Sequence, residues 1–284
     1  AALWQIVLDD PQMPAAPLKN LLIGLTAPDY QTAGGRGAPS TIDWQLDAKH
    51  YEFWVRADEQ GRFSIPNVRP GIYTLHAIAS NVLGEYARTD IKVVAGQSLD
   101  LGKLQWKPVR FGRQLWEIGI PDRTAGEFLH GDHYWQWGLY NEYPKDFPND
   151  VNFIIGKSDY HKDWNYCQCP RADRPNGTTW SISFDMPEAQ SGRATLRVAL
   201  AATSARRIDV MVNDKPAGTI SPLTDTATIR RDGIRGYWCE RNVTFDAAMM
   251  KAGVNVIKLT IPPGGAMNGV EYDYLRLEFQ PDAP

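Results

Sequence analysis

Four arginines fall within a short stretch of the chain, Arg230, Arg231, Arg235 and Arg241, with Tyr237 and Trp238 among them. A guanidinium presents a rigid fork of N–H donors that fits a carboxylate at two points, and a flat ring packs against the C–H face of a sugar. These residue types together suit a sugar that carries a carboxylate. Surface ion pairs and contacts to another domain are the competing use of the same cluster. Arg230, Arg235, Tyr237 and Trp238 are therefore the first candidates for carbohydrate binding, with Asn268 on a glycine-rich loop as a further one. Trp164 and Tyr166 form a second candidate surface. They follow the charged run Lys157, Asp159, His161, Lys162 and Asp163, and Arg171 or Arg174 would supply the polar partners. The plainer reading of Trp164 is a core ring beneath a solvated loop.

Other groups have bland and chemical readings side by side. His130, Asp132 and His133 have the types needed for proton transfer or metal ligation, or for hydrogen bonds at a domain junction. Asp273 lies between Tyr272 and Tyr274 inside an apolar strand pattern. It is a candidate ligand for a structural calcium ion, with a buried hydrogen-bonded carboxylate as the alternative. Cys167, Cys169 and Cys239 are too few for a disulfide framework. One bridge from Cys239 to either neighbour is open in an oxidising compartment, and the spacing does not favour zinc. Arg56, Asp58, Glu59 and Arg62 read as solvated charges around a turn.

The elements that must position these groups read as strands throughout. In the first part, Leu21–Leu25, Tyr51–Ala57, Arg62–Ile65, Tyr73–Ala79, Ile91–Val94 and Leu101–Leu104 are short apolar or alternating runs separated by turn residues. The polar, glycine-rich stretch Gln31–Asp43 reads as a loop. This spacing predicts a small sandwich of the immunoglobulin or fibronectin kind over residues 1–106. Residues 107–150 crowd aromatic side chains with little periodicity and read as an ordered linker or lid. Residues 151–284 return to alternation, from Thr179–Phe184 through Ala194–Leu200, Arg207–Asn213 and Asn255–Ile261 to Val270–Phe279, and predict a jelly-roll sandwich. Asp246–Met250 reads as a single helical turn.

Composition narrows the class. The 284 residues carry a net charge of −3, which gives no basic field for nucleic acid. No run of apolar residues reaches the length of a membrane-spanning helix, so neither nucleic acid nor membrane is expected as a partner. Twenty-four glycines, twenty prolines and ten tryptophans suit a turn-rich all-β protein. No signal-peptide pattern precedes the strand-like Leu3–Leu8, which reads as the continuation of an upstream segment.

Several separated motifs resemble one family in its own order. The stretch Tyr51–Phe63 followed by Asn67–Leu75, with Leu83–Tyr86, resembles the middle domain of polysaccharide lyase family 4, although transthyretin-like and carboxypeptidase-associated sandwiches share its turn grammar. Leu115–Phe128 is similar to the family's junction between middle and last domains. Ile229–Gly236 and Tyr272–Glu278 resemble its C-terminal domain. The resemblance implies an all-β chain, a fibronectin-III or carboxypeptidase-regulatory-like sandwich followed by a jelly-roll carbohydrate-binding-like domain. It implies a parent enzyme that cleaves rhamnogalacturonan I by β-elimination, and a catalytic N-terminal domain that is not part of this sequence. No catalytic residue is carried over. The expected role is binding and scaffolding on pectic polysaccharide, with no required cofactor, in a secreted or periplasmic setting. The alternative is one part of an active endolyase whose catalytic domain is removed or on a separate chain.

Overall fold

The computed structural model describes residues 4–13, 18–33, 39–133, 136, 138–223 and 237–282. The chain divides into two compact units, Ala1–Val109 and Arg110–Pro284.

Among the described residues the first unit has nine strands. They are β1 (Trp4–Leu8), β2 (Leu22–Thr26), β3 (Tyr30–Ala33), β4 (Pro39–Ile42), β5 (Phe53–Arg56), β6 (Arg62–Phe63), β7 (Gly71–Ile78), β8 (Tyr86–Val93) and β9 (Lys103–Trp106). One sheet has the order β6-β1-β9 and the other β5-β2-β7-β8. Their inward rows place Trp4, Ile6, Ile23, Leu25, Phe63, Leu75 and Ile91 in one core. The stretch expected to be a loop after residue 30 instead forms the hairpin of β3 with β4, Tyr30 opposite Ile42. Its polar composition hid the pairing, because backbone hydrogen bonds form whatever the side chains are. Gly24 has a packing role on this unit's outer face. A Cβ there would lie 2.4 Å from the Trp54 ring, so only glycine lets the indole lie flat on β2.

Among the described residues the second unit has ten strands and two one-turn helices. These are β10 (Arg113–Gly119), β11 (Asn152–Ile154), β12 (Cys167–Gln168), β13 (Thr178–Met186), β14 (Gly192–Thr203), β15 (Ile208–Val212), β16 (Lys215–Ile220), β17 (Cys239–Asp246), β18 (Gly253–Ile261) and β19 (Val270–Pro281), with α1 (Tyr143–Asp146) and α2 (Tyr160–Asp163). One sheet runs β10-β19-β14-β17, with β12 added beside β19; the other runs β11-β13-β18-β15-β16. In β13 the core side of the alternation, from Trp180 through Ile182 and Phe184 to Met186, is buried. The helical turn expected after residue 246 is present as a 3-10 turn over Ala247–Met249, capped by the Asp246 side chain.

Residues 110–150 of the segment read as a linker belong to this second unit. Its residues 113–119 are β10, paired antiparallel with β19. Phe128, Leu139 and Tyr143 are buried in the same core as Trp164, Trp180 and Tyr272. A bulge between Gln114 and Trp116 interrupts the period of two, which is why the strand does not show as clean alternation.

The outward side of β19 buries charge. Glu278 is fully buried and accepts from the Phe111 amide at 2.7 Å and from Arg110 at 3.2 Å. Arg276 and Arg197 lie 3.5 and 3.6 Å from the same carboxylate. Arg197 also donates to Glu240 at 2.7 Å. Buried charges of this kind persist only when each is answered by opposite charge and hydrogen bonds. Replacing Glu278 by alanine leaves these guanidiniums without their shared acceptor. The Glu278→Ala variant is expected to lose about 3–5 kcal/mol of stability, measured by urea unfolding at neutral pH; a change within experimental error would contradict this role.

Candidate carbohydrate site

The loops at one end of the second unit enclose a cleft of about 430 Å³, lined by Ser204, Ala205, Arg206, Leu223, Pro262, Pro263 and Asn268. Strand pairing builds it. Thr203 at the end of β14 faces Val270 at the start of β19, so the turns that follow and precede these strands must meet. The Ser204 and Ala205 amides both donate to the Gly269 carbonyl, at 2.9 and 3.0 Å. The Ser204 hydroxyl donates to the Met267 carbonyl, and the Asn268 amide closes a turn onto Gly265. Leu223 is tied in by its amide to the Arg206 carbonyl at 3.2 Å. The floor is therefore fixed by backbone bonds, while Arg206 and Asn268 are exposed at the mouth. Among the described residues Arg206 has no carboxylate partner. A guanidinium beside a preformed cleft with prolines on one wall can take a carboxylate while an apolar wall meets C–H groups.

Trp238 and Asp273 form a second structured patch in the same unit. The Trp238 indole N–H donates to Asp273 at 2.6 Å, and the Arg123 guanidinium lies 4.2 Å from the ring centroid. The other Asp273 oxygen accepts from the Asp122 and Arg123 amides, at 3.0 and 2.9 Å. Asp122 in turn accepts from the amide and hydroxyl of Thr124. Burial pushes the Asp273 carboxyl up to about 7, against the pull of its donors. Gly119 makes the close approach feasible: at φ +89° a Cβ would lie 2.6 Å from the Asp273 carbonyl and 2.9 Å from a Glu127 oxygen. Glu127 accepts from the Ile120 amide at 2.5 Å, and its other oxygen has no hydrogen-bond partner among the described residues. Burial, with the Asp273 and Asp122 charges nearby, pushes Glu127 up to about 8.

The structure sorts the sequence candidates. Asn268 stands at the cleft. Trp238 is half-buried and held edge-on by Asp273, with Tyr237 beside it in sequence and also half-buried. Arg230 and Arg235 lie outside the described residues. Trp164 and Tyr166 are not a sugar surface. Trp164 is 0% exposed among Phe128, Phe153, Trp180 and Tyr272, and Tyr166 is 5% exposed. Rings closed off on all sides cannot stack on a ligand, and apolar packing won over exposure here. Arg171 and Arg174 are likewise engaged, holding Asp150, Asp173 and the Pro148 carbonyl.

The calcium reading does not fit Asp273. Both of its oxygens are met by N–H donors, a surrounding that repels a cation, and no grouping of three or more acidic, histidine or cysteine side chains suited to a metal exists among the described residues. His130 bonds Asp146 at 2.9 Å and His133 approaches Asp132 at 3.5 Å, so the two histidines serve separate carboxylates. Arg206 and Ser204 escaped the sequence reading. Their signal is weak, since the cleft draws its walls from three stretches far apart in the chain.

Comparison with known proteins agrees with this architecture. The model of polysaccharide lyase family 4, domain III, matches residues 114–277, and that of domain II matches residues 27–101. The chain belongs to polysaccharide lyase family 4. It is 29% identical to the probable rhamnogalacturonate lyase B of Aspergillus terreus, over 83% of this chain and 43% of that protein. It is also 29% identical to rhamnogalacturonate lyase B of Emericella nidulans, over 81% of this chain and 42% of that protein. The chain thus spans under half the length of these relatives. Among solved structures, a family 35 carbohydrate binding module from an environmental isolate is 23% identical, over 39% of this chain and 74% of that one, with a TM-score of 0.26.

The Glu127 environment has a consequence for pH. The folded state holds a proton on Glu127 up to about pH 8, whereas the ordinary value is 4.5. Over that window the folded state binds more protons than the unfolded one, so stability falls as pH rises and levels off above it. Asp273 acts in the same direction up to about pH 7. The melting temperature is expected to fall from pH 4.5 to pH 8, and Glu127→Gln is expected to flatten the part of the decline above pH 7. A variant whose melting profile parallels the parent at every pH would refute the assignment.

Proposed function

We propose that this chain is the non-catalytic, carbohydrate-binding and scaffolding part of a rhamnogalacturonan lyase, and that its cleft takes an acidic sugar of the pectic backbone. The observation that carries the reading is Arg206, exposed at a rigid cleft and without a carboxylate partner among the described residues. A galacturonate carboxylate would supply that partner, while Asn268 and the Pro262–Pro263 wall would address hydroxyls and C–H groups of the ring. Membership of the lyase family and the names of the matched relatives point to rhamnogalacturonan as the polymer. Binding to a cell-wall polymer would call for a secreted or periplasmic setting.

Binding rather than bond cleavage is the better use of this cleft. β-Elimination needs a base to take the proton beside the uronate carboxylate and cations to hold the developing charge. Among the described residues the cleft lining contains one guanidinium and no carboxylate, histidine or lysine. The second reading, one part of an active endolyase completed by a separate catalytic domain, is favoured by the length of the relatives.

Titration calorimetry with rhamnogalacturonan I oligosaccharides is expected to show binding that a neutral galactan does not share. Arg206→Ala is expected to weaken it by about 10-fold or more, the loss of a charge-assisted contact, with an unchanged circular dichroism spectrum. No heat with any pectic fragment would end the proposal. Release of unsaturated oligosaccharides by the purified chain would replace it with a catalytic one.

A further inference from the structure

We infer that Cys167 and Cys169 close to a disulfide spanning a single residue, leaving Cys239 as a free thiol. The two thiols lie 3.2 Å apart, closer than two sulfur atoms in ordinary contact. Both are free and buried, at 0% and 1% exposure. They flank Gln168, and strand β12 sends residues two apart to the same side.

The residue between them is held from three directions. The Gln168 side chain donates to the Thr178 and Leu259 carbonyls, at 2.8 and 2.9 Å, and accepts from the Tyr272 hydroxyl at 2.7 Å. The Asn165 amide donates to the Cys167 carbonyl at 2.7 Å. The backbone that carries both thiols is therefore fixed in the arrangement that brings them together. Packing that places two nucleophilic sulfurs in contact removes most of the entropy lost on bridging them.

The sheet order excludes Cys239 as a partner. Cys239 opens β17, opposite Leu200 of β14. Cys167 lies on β12, opposite Glu271 of β19. From β12 the sheet passes through β19 and β14 before reaching β17, three strand spacings or roughly 14 Å. A disulfide needs Cα atoms within about 7 Å. The bridge from Cys239 left open by the sequence is thus ruled out on distance.

The chemistry needs a thiol–disulfide oxidant such as oxidised glutathione. One cysteine thiolate attacks the oxidant's S–S bond, forming a mixed disulfide and expelling a thiolate. The second cysteine then attacks the first, forming the Cys167–Cys169 bond and expelling the second thiolate. Two electrons leave the dithiol, and its two protons end on the two expelled sulfurs. Burial keeps the Cys167 thiol protonated in the folded chain, so the mixed disulfide forms during refolding, before β12 is packed, and the second step follows as packing brings the two sulfurs together.

The test is to refold the whole chain with oxidised glutathione, then unfold it in guanidinium with N-ethylmaleimide and no reductant. One label per chain is expected, on Cys239, with the unlabelled protein about 2 Da lighter than its reduced form. Prior reduction is expected to give all three cysteines labelled. Cys239→Ser is expected to take no label without reductant. Three labels on the unreduced protein, or a linked peptide containing Cys239, would overturn the inference.

Discussion

The pairing of β14 with β19 is the constraint on which the second unit depends. Both strands run for twelve residues, and nearly all of each is buried. The other strands of its sheet are hung from this ladder. β10 extends it on one side and β17 on the other, while β12 continues it beside the first residues of β19. The end of the ladder, where Thr203 faces Val270, is where the cleft opens. A slip of one residue between these strands would turn the apolar row outward and dismantle core and cleft together.

The same ladder explains why charge is found inside. A strand buried on both sides has to place its outward row somewhere dry, and here that row includes Arg276 and Glu278. Arg197 from β14 and Arg110 before β10 complete the network around Glu278. Near the other end of β19, a register shift in the pairing with β14 accompanies the point where Asp273 meets the Asp122–Arg123 turn and the Trp238 indole. Fixed N–H donors hold this carboxylate although burial opposes its charge. The cleft is of a different kind. Its backbone is satisfied, and its guanidinium faces solvent.

Much of the fold was legible along the chain. The alternation of Thr179–Phe184 and of Asn255–Ile261 marked strands β13 and β18, because a half-buried strand must place apolar residues at every second position. Elements without that signature were not visible. The hairpin of β3 and β4 has no row of alternating apolar residues, and the bulge in β10 breaks the period. Asn268 was singled out as a residue on a glycine-rich loop, and the fold places it at the cleft. Arg206 was not, because nothing local distinguishes it from the adjacent Arg207.

By itself the sequence determined an all-β chain of two sandwiches and the family to which it belongs, since both follow from local periodicity and from residues that stand in a fixed order. Only the tertiary structure decided which rings and charges are available to a ligand. Trp164 and Trp238 have the same chemistry and similar polar neighbours in sequence. One sits at the centre of an aromatic core, and the other lies half-buried against an aspartate. Burial depends on which distant strands cover a side chain, and no window along the chain contains that information. The same holds for the three cysteines: sheet order leaves Cys239 three strands away from Cys167, whose sulfur lies 3.2 Å from that of Cys169.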